Sequence, residues 1–229
     1  MNTAHSIRSR TDFLRIPLED RRSKHEKSLV KIVQTDSGNF LSEWSFDDIA
    51  REPYGVLSKR PMVYMLDAHE AIEKSMWCYE HAMVPLIGER DPEIASYTAG
   101  KYQIDQLISD PEACIALLPY LSSRSEPLES LSIIDSSFGK QRLMQFASCA
   151  KQVRLVLALP ETGVLAEASL SEEPLFSVVS GCQGAVGDTF IVTKQPSLVT
   201  PIIEYDTALS VSARSRRTDG SMESFVFPE

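Results

Sequence analysis

The chain has 229 residues, of which 43% are hydrophobic and 24% are charged, and its net charge is −9. This composition is typical of a globular protein with a substantial core and argues against a disordered or fibrous chain. The sequence contains neither an apolar run of about 18 residues nor an N-terminal apolar signal segment, so we expect an intracellular protein without membrane contacts.

The first segment, residues 1–31, is a basic arm with eight basic and four acidic side chains. Its net charge is +4, so the remainder of the chain carries −13. A basic arm on an acidic body can bind phosphate or dock on another copy of the chain, and a solvated tail is the ordinary alternative. A second basic cluster lies near the C-terminus. The candidate phosphate- or partner-binding residues are Arg8, Arg10, Arg15, Arg21, Arg22, Arg214, Arg216 and Arg217.

The next segment, residues 32–121, is predicted to be mainly helical. Strands are predicted at 29–34 and 62–66, and a short helix between them can be capped by Ser45. The clearest helical pattern covers residues 67–87, where apolar side chains recur every three or four positions and form one stripe.

Two further helices begin with the same signature. Asp91 and Asp110 each precede a proline and a glutamate. This order places a capping aspartate before proline at the first helical position, with an acid in the positively polarised first turn. We predict that these helices pack as a bundle.

The remaining segments are a serine-rich region and a strand-rich region. Residues 122–137 are interpreted as a linker, although Leu131–Ile134 is also compatible with a short strand, and a helix is predicted for 138–151. After residue 151 the side chains follow a two-residue period and β-branched residues are frequent, which predicts an antiparallel sheet or sandwich. The predicted strands cover 153–159, 175–180, 189–193, 198–205 and 208–213.

These elements predict an α+β fold, in which a helical N-terminal half packs on an antiparallel β-sheet or sandwich in the C-terminal half. The expected organisation is a basic arm (1–31), a mainly helical region (32–121), a serine-rich linker (122–137) and a helix followed by an antiparallel β region (138–229).

The cysteines and histidines do not have the spacing of a metal site. Cys78, Cys114, Cys149 and Cys182 contain no CxxC pair, and buried thiols in a reducing compartment are the default interpretation. His69 and His81 are twelve residues apart, about 18 Å along a helix, so one ion cannot bind both. We therefore expect neither a metal nor a cofactor.

The segment Ser180–Gly184 is the one candidate for covalent chemistry. It resembles the glycine-flanked nucleophile turn of chymotrypsin-like cysteine proteases, which implies Cys182 as a nucleophile whose oxyanion is stabilised by backbone N–H groups. His69 or His81 would be the base, oriented by an aspartate. A structural hairpin with a buried cysteine is the favoured alternative. The candidate orienting residues are Asp105, Asp110 and Asp135.

The sequence favours a non-enzymatic structural or assembly protein, such as a capsid-type or nucleoprotein-type subunit. It would self-associate through the basic arm and the acidic body, with nucleic acid as a further partner of the arm and a virion as a further setting. Two alternatives remain open: a cysteine hydrolase built on Cys182, and a nucleic-acid-binding regulatory protein.

Overall fold

The computed structural model describes residues 15, 28–35, 38–57, 61–66, 71–136, 138, 143–159, 162–186, 189–194 and 202–228. The helices are α1 (Phe46–Ala50), α2 (Ala71–Glu80), α3 (Pro92–Tyr102) and α4 (Pro111–Ser123), with a 3-10 turn at Leu143–Phe146. The strands are β1 (Ser28–Thr35), β2 (Gly38–Ser45), β3 (Met62–Met65), β4 (Val84–Ile87), β5 (Gln106–Ser109), β6 (Leu128–Asp135), β7 (Ala150–Leu159), β8 (Gly163–Ser169), β9 (Phe176–Val178), β10 (Cys182–Val186), β11 (Phe190–Lys194), β12 (Ile202–Asp206), β13 (Ser212–Arg216) and β14 (Met222–Val226). No described helix is long and apolar enough to cross a membrane.

The described strands from β3 to β14 form one mixed sheet of twelve strands. Its first half is parallel, in the spatial order β4-β3-β5-β6-β7, with β4 at the edge. Numbered along the chain, this is the order 2-1-3-4-5 of a doubly wound α/β fold. β3, β4 and β5 have four residues each, and the inner strands β3 and β5 are buried along nearly their whole length.

The helices of the parallel half lie on both faces of the sheet. On one face, Trp77 and Cys78 of α2 pack with Val63 and Met65 of β3. On the other face, α3 and α4 cover a core that includes Leu107. This distribution follows from right-handed crossovers, because the chain reverses direction along the sheet after β4 and so places the next helices on the opposite face.

The second half of the sheet is antiparallel and is joined to the first by the β7–β8 hairpin. Its core is a cluster of phenylalanines in which Phe176 stacks on Phe225 with ring centroids 5.5 Å apart, and Phe190 lies 5.1 Å from Phe225. Phe138 and Phe227 complete the cluster at the rim. The C-terminal strand β14 therefore lies in the middle of the sheet, between β9 and β10.

The β1–β2 hairpin forms a separate two-stranded sheet, and residues 51–57 connect α1 to the large sheet. The carbonyl oxygen of Tyr54 accepts hydrogen bonds from the Gln106 amide and from Ser132 Oγ at 2.8 Å. Both donors are fully buried. Polar side chains of β5 and β6 thus hold this connection against the face that α2 covers.

The predicted fold class is wrong. The helices do not form an N-terminal half that packs on a C-terminal sheet; they alternate with parallel strands of the same sheet that continues into the antiparallel half. The parallel strands β4 and β5 have four residues each, too short for a two-residue period to be recognised beside helical patterns.

Three predicted segments have different boundaries in the structure, because each contains strand residues that the sequence pattern did not reveal. The helical pattern of 67–87 divides into α2 and β4, and the helix expected at 138–151 is replaced by the 3-10 turn and the start of β7. The serine-rich segment 122–137 contains the end of α4 and all of β6. Ser130 and Ser132 are buried in that strand, and Ser132 donates to the Tyr54 carbonyl oxygen, so this part of the segment belongs to the sheet rather than to a flexible linker.

Candidate functional site

The carboxyl ends of the parallel strands meet at one edge of the sheet, which we call the carboxyl edge. β3 ends beside Leu66, β5 leads into Asp110, β6 ends at Asp135 and β7 is followed by Thr162. The chain leaves β3 for α2 on one face and leaves β5 for α4 on the other. Ligands of doubly wound sheets bind in the crevice that such a reversal creates, so the carboxyl edge between β3 and β5 is the candidate site.

Asp110 organises the α4 side of this crevice. Its Oδ1 accepts a hydrogen bond from the Ala113 N–H at 3.0 Å, which makes it the N-cap of α4, and Pro111 occupies the first helical position. Its Oδ2 lies 2.8 Å from Arg90 Nη2 in the loop after β4. Arg90 is therefore held at the carboxyl edge, next to the positively polarised N-terminus of α4.

The loop that carries Arg90 depends on Gly88. A Cβ atom at this position would lie 2.0 Å from Tyr64 Oη, so only glycine lets the backbone lie on the Tyr64 ring. Tyr64 is fully buried in β3, and burial raises the pKa of its hydroxyl, an effect opposed by the nearby Thr98 side chain and increased by Glu89. The Tyr64 phenol thus stays protonated beneath the loop.

The thiol nearest to this crevice is not activated. Cys114 lies in the first turn of α4 and is fully buried. Burial raises the pKa of the Cys114 thiol strongly, the negative charge of Asp110 and the nearby Cys149 raise it further, and a hydrogen bond with Ser109 opposes the shift. Because the thiolate is the nucleophilic form, Cys114 is suited to packing rather than to catalysis.

The α2 side of the carboxyl edge contains two buried charged residues. Glu73 and Lys74 lie in the first turns of α2, and Lys74 is only 1% exposed. Glu73 also lines a cavity of about 10 Å³ together with Glu52, Trp44, Tyr54, Ile49, Ala158, Gly163 and Val164. This volume is close to that of one water molecule, so the cavity does not accommodate an organic substrate.

The arrangement at the carboxyl edge suits an anionic ligand. The Arg90 guanidinium, paired with Asp110, carries positive charge at this edge. Pro111 has no N–H, and the N–H groups of Ala113 and Cys114 donate to Asp110, so the Glu112 N–H is the first backbone donor of α4 that the cap leaves over. Within the described part of the chain, no three His, Cys, Asp or Glu side chains come close enough to hold a metal ion.

The structure does not bring the residues of the predicted cysteine site together. Cys182 is fully buried in β10, and its carbonyl oxygen accepts a hydrogen bond from Arg217 at 3.0 Å. His81 follows α2 beside β4, and β10 and β4 are separated by seven strands in the sheet. The His81 ring packs on Trp77, and its Nε2 lies 2.8 Å from the Ala50 carbonyl oxygen. His69 lies outside the described residues.

The three candidate orienting aspartates have other positions. Asp105 accepts a hydrogen bond from the Met62 N–H at 2.7 Å and so joins the starts of β3 and β5. Asp110 and Asp135 both lie at the carboxyl edge. Sequence reasoning therefore named two residues of the candidate site, but for a different reaction.

The candidate arginines fall into two groups. Arg214 and Arg216 are exposed on β13, whereas Arg217 donates to the carbonyl oxygens of Val178 and Cys182 and ties β9 to β10. Arg15 is exposed. Four arginines of the basic arm lie outside the described residues: Arg8, Arg10, Arg21 and Arg22.

Sequence reasoning missed Gly88 and Arg90. The signal that could have found them is the short apolar run Val84–Ile87 followed at once by glycine and charged residues, which is typical of a strand that ends in a loop. The run was assigned to the preceding helix instead.

Comparison with known proteins identifies the fold. No family model matches the chain, and no curated protein is similar to it in sequence. Among solved structures, the R395G form of coronafacic acid ligase from Pectobacterium brasiliense has a TM-score of 0.63 at 12% identity; the match covers 90% of this chain and 50% of the ligase.

Two other enzymes have the same fold. E. coli MenE with a bound analogue of OSB-AMS has a TM-score of 0.59 at 13% identity, over 84% of this chain and 47% of MenE. A luciferase-like enzyme from the nonluminescent mealworm Zophobas morio has a TM-score of 0.54 at 10% identity, over 88% of this chain and 54% of the enzyme. The chain thus spans about half the length of these structures.

This likeness corrects the functional expectation drawn from the sequence. The prediction of a structural, capsid-type or nucleoprotein-type subunit was wrong, because the chain has the fold of about half of coronafacic acid ligase and of MenE. The charge asymmetry that motivated it is compatible with many functions, whereas the strand order and crossovers are specific to the fold.

Proposed function

We propose that the chain is part of an adenylate-forming enzyme and that its carboxyl edge binds the phosphate-bearing part of a nucleotide or acyl-adenylate. The observation that supports this most is the likeness to coronafacic acid ligase, because the match covers 90% of the chain at a TM-score of 0.63. The bound OSB-AMS analogue of MenE suggests the class of ligand.

The segment after β6 has the residue types that such a ligand requires. In the sequence, Asp135 at the end of β6 is followed by two serines, Phe138, Gly139 and Lys140. Hydroxyls, a glycine and a lysine after a parallel strand are the groups that surround phosphates in strand–loop sites. Lys140 of this segment and Arg90 would provide positive charge for a polyphosphate, and the serine hydroxyls would donate hydrogen bonds to it.

The reaction would be carboxylate activation. A carboxylate oxygen attacks the α-phosphorus of ATP, a bond to the α-phosphate forms, and pyrophosphate leaves with the electron pair of the broken bond. Transfer of this type depends on positioning and on positive charge around the phosphate oxygens. Because the chain spans about half the length of the structures it matches, binding is the property to test first.

Isothermal titration calorimetry of the full chain with ATP and with an acyl-sulfamoyl adenosine tests the proposal. We expect binding of both, and we expect Lys140→Ala to weaken ATP binding about tenfold through loss of one charged contact. Lys151→Ala is the matched control, because Lys151 is an exposed lysine at the start of β7, on the opposite edge of the sheet. Absence of binding, or equal weakening by both substitutions, would contradict the proposal.

A further inference from the structure

The outer face of α3 exposes large apolar side chains. Ile94 and Tyr97 are 49% and 67% exposed and lie three residues apart, so they form one stripe on the helix. Other exposed apolar residues of the same helical layer are Tyr102 on α3, Ile115 on α4 and Met144 in the 3-10 turn. Apolar residues grouped on one face, rather than scattered singly, are typical of an interaction site.

Charged residues are placed symmetrically around this stripe. Glu93 lies four residues before Tyr97 and Lys101 lies four residues after it, and both are exposed. When two identical helices pack antiparallel across a two-fold axis at Tyr97, each residue lies at the same level as the one equally far on the other side of Tyr97, and long side chains near the contact line reach each other. Glu93 of each copy then faces Lys101 of the other, so opposite charges meet twice.

We propose that this face is the interface of a homodimer, in which the α3 helices of two copies pack antiparallel about Tyr97. The occupant is a second copy because the face is complementary to itself in charge, as an isologous interface requires. The apolar stripe supplies the affinity, and the two ion pairs fix the antiparallel orientation. The Lys101 ammonium lies 5.6 Å and 5.5 Å from the ring centroids of Tyr97 and Tyr102, which keeps the charge beside the stripe.

The mass of the full chain in solution tests the interface. Light scattering after size exclusion should give the mass of a dimer for the unmodified protein. Tyr97→Glu should give a monomer, because it brings two carboxylates together at the axis. Tyr79→Glu is the matched control, since Tyr79 is a tyrosine of α2 with a similar exposure of 70%, and it should remain a dimer.

Charge exchange tests the orientation. Glu93→Lys alone and Lys101→Glu alone should each weaken the dimer about tenfold, because like charges then face each other twice. The double variant with both changes should restore dimerisation, since opposite charges face each other again. Circular dichroism of each variant checks that the fold is retained.

Three results would overturn the proposal. The first is a monomeric protein at concentrations on the order of 100 µM, where a specific dimer would be populated. The second is dissociation by Tyr79→Glu to the same extent as by Tyr97→Glu. The third is a double variant that is no more dimeric than the single variants. Nucleotide binding is measured separately, so these results do not depend on the proposed enzymatic function.

Discussion

At the scale of single residues, the candidate site depends on close contact rather than on reactive groups. Gly88 allows the loop after β4 to lie on the Tyr64 ring, and Arg90 in that loop then reaches Asp110. The sequence alone could not reveal this, because nothing near Gly88 in the chain predicts which side chain lies beneath it. The partner, Tyr64, is 24 residues earlier and belongs to a neighbouring strand.

Replacement of Gly88 tests this contact. Gly88→Ala should lower the free energy of unfolding by about 1–3 kcal/mol, because the added methyl overlaps the Tyr64 ring in a closely packed region. Urea unfolding measures the loss, and combination with Tyr64→Leu removes the overlapping atoms. The double variant should lose less than the sum of the two single variants. Additive losses would show that Gly88 and Tyr64 do not interact in this way.

At the scale of helices and strands, short sequence motifs correctly predicted those features that depend on contacts between residues close in sequence. The two Asp–Pro–Glu signatures predicted the starts of α3 and α4, and the structure confirms both: Asp91 accepts from two backbone N–H groups and Asp110 from one. The strands β4 and β5 were missed because their formation depends on pairing with β3 and β6, which are distant in sequence. Pairing between strands that are distant in sequence has little effect on the residue pattern of a four-residue segment.

Two substitutions of Asp110 distinguish the stability that the α4 cap contributes from the stability that the ion pair with Arg90 contributes. Asp110→Ala should lower the free energy of unfolding by about 1 kcal/mol, because the Ala113 N–H loses its acceptor. Asp110→Asn keeps a capping oxygen and loses only the ion pair with the half-exposed Arg90, so its cost should be near the low end of about 0–1 kcal/mol. Thermal and urea unfolding of both variants give the comparison. Equal losses would mean that the charge, and not the cap, is what stabilises the helix start.

At the scale of the whole molecule, one sheet joins the core of the parallel half to the phenylalanine-rich core of the antiparallel half. The β7–β8 hairpin makes the parallel half and the antiparallel half neighbours without a break in hydrogen bonding. Four of the five strand segments predicted after residue 151 overlap β7, β9, β11 and β12, and 208–213 reaches only the start of β13. The sequence could not show that these strands continue a parallel sheet. Strand direction depends on how the intervening chain crosses the sheet, and the crossovers were assigned to a helical bundle.

Continuity of the sheet predicts that both halves unfold together. Phe225→Ala should lower the free energy of unfolding by about 3–4 kcal/mol, because Phe225 is fully buried between Phe176 and Phe190. The fluorescence of Trp44 and Trp77, which lie in the core on the α2 side, should follow the same shifted transition as circular dichroism. A fluorescence transition that stays in place while circular dichroism shifts would indicate two independent units.

The edge strand β4 also determines whether a further strand can add to the sheet beside it. The N–H groups of Val84 and Gly88 donate to β3, so position 85 directs its backbone away from the sheet, and proline there has no N–H to offer. A strand that added to this edge could donate to the Pro85 carbonyl oxygen, but residue 85 has no N–H to donate in return. Proline thus blocks open-ended addition of strands at this edge, which is the route to fibrillar aggregates. The dimer that we propose uses a helical surface instead, and an antiparallel pair of α3 helices would close after two copies.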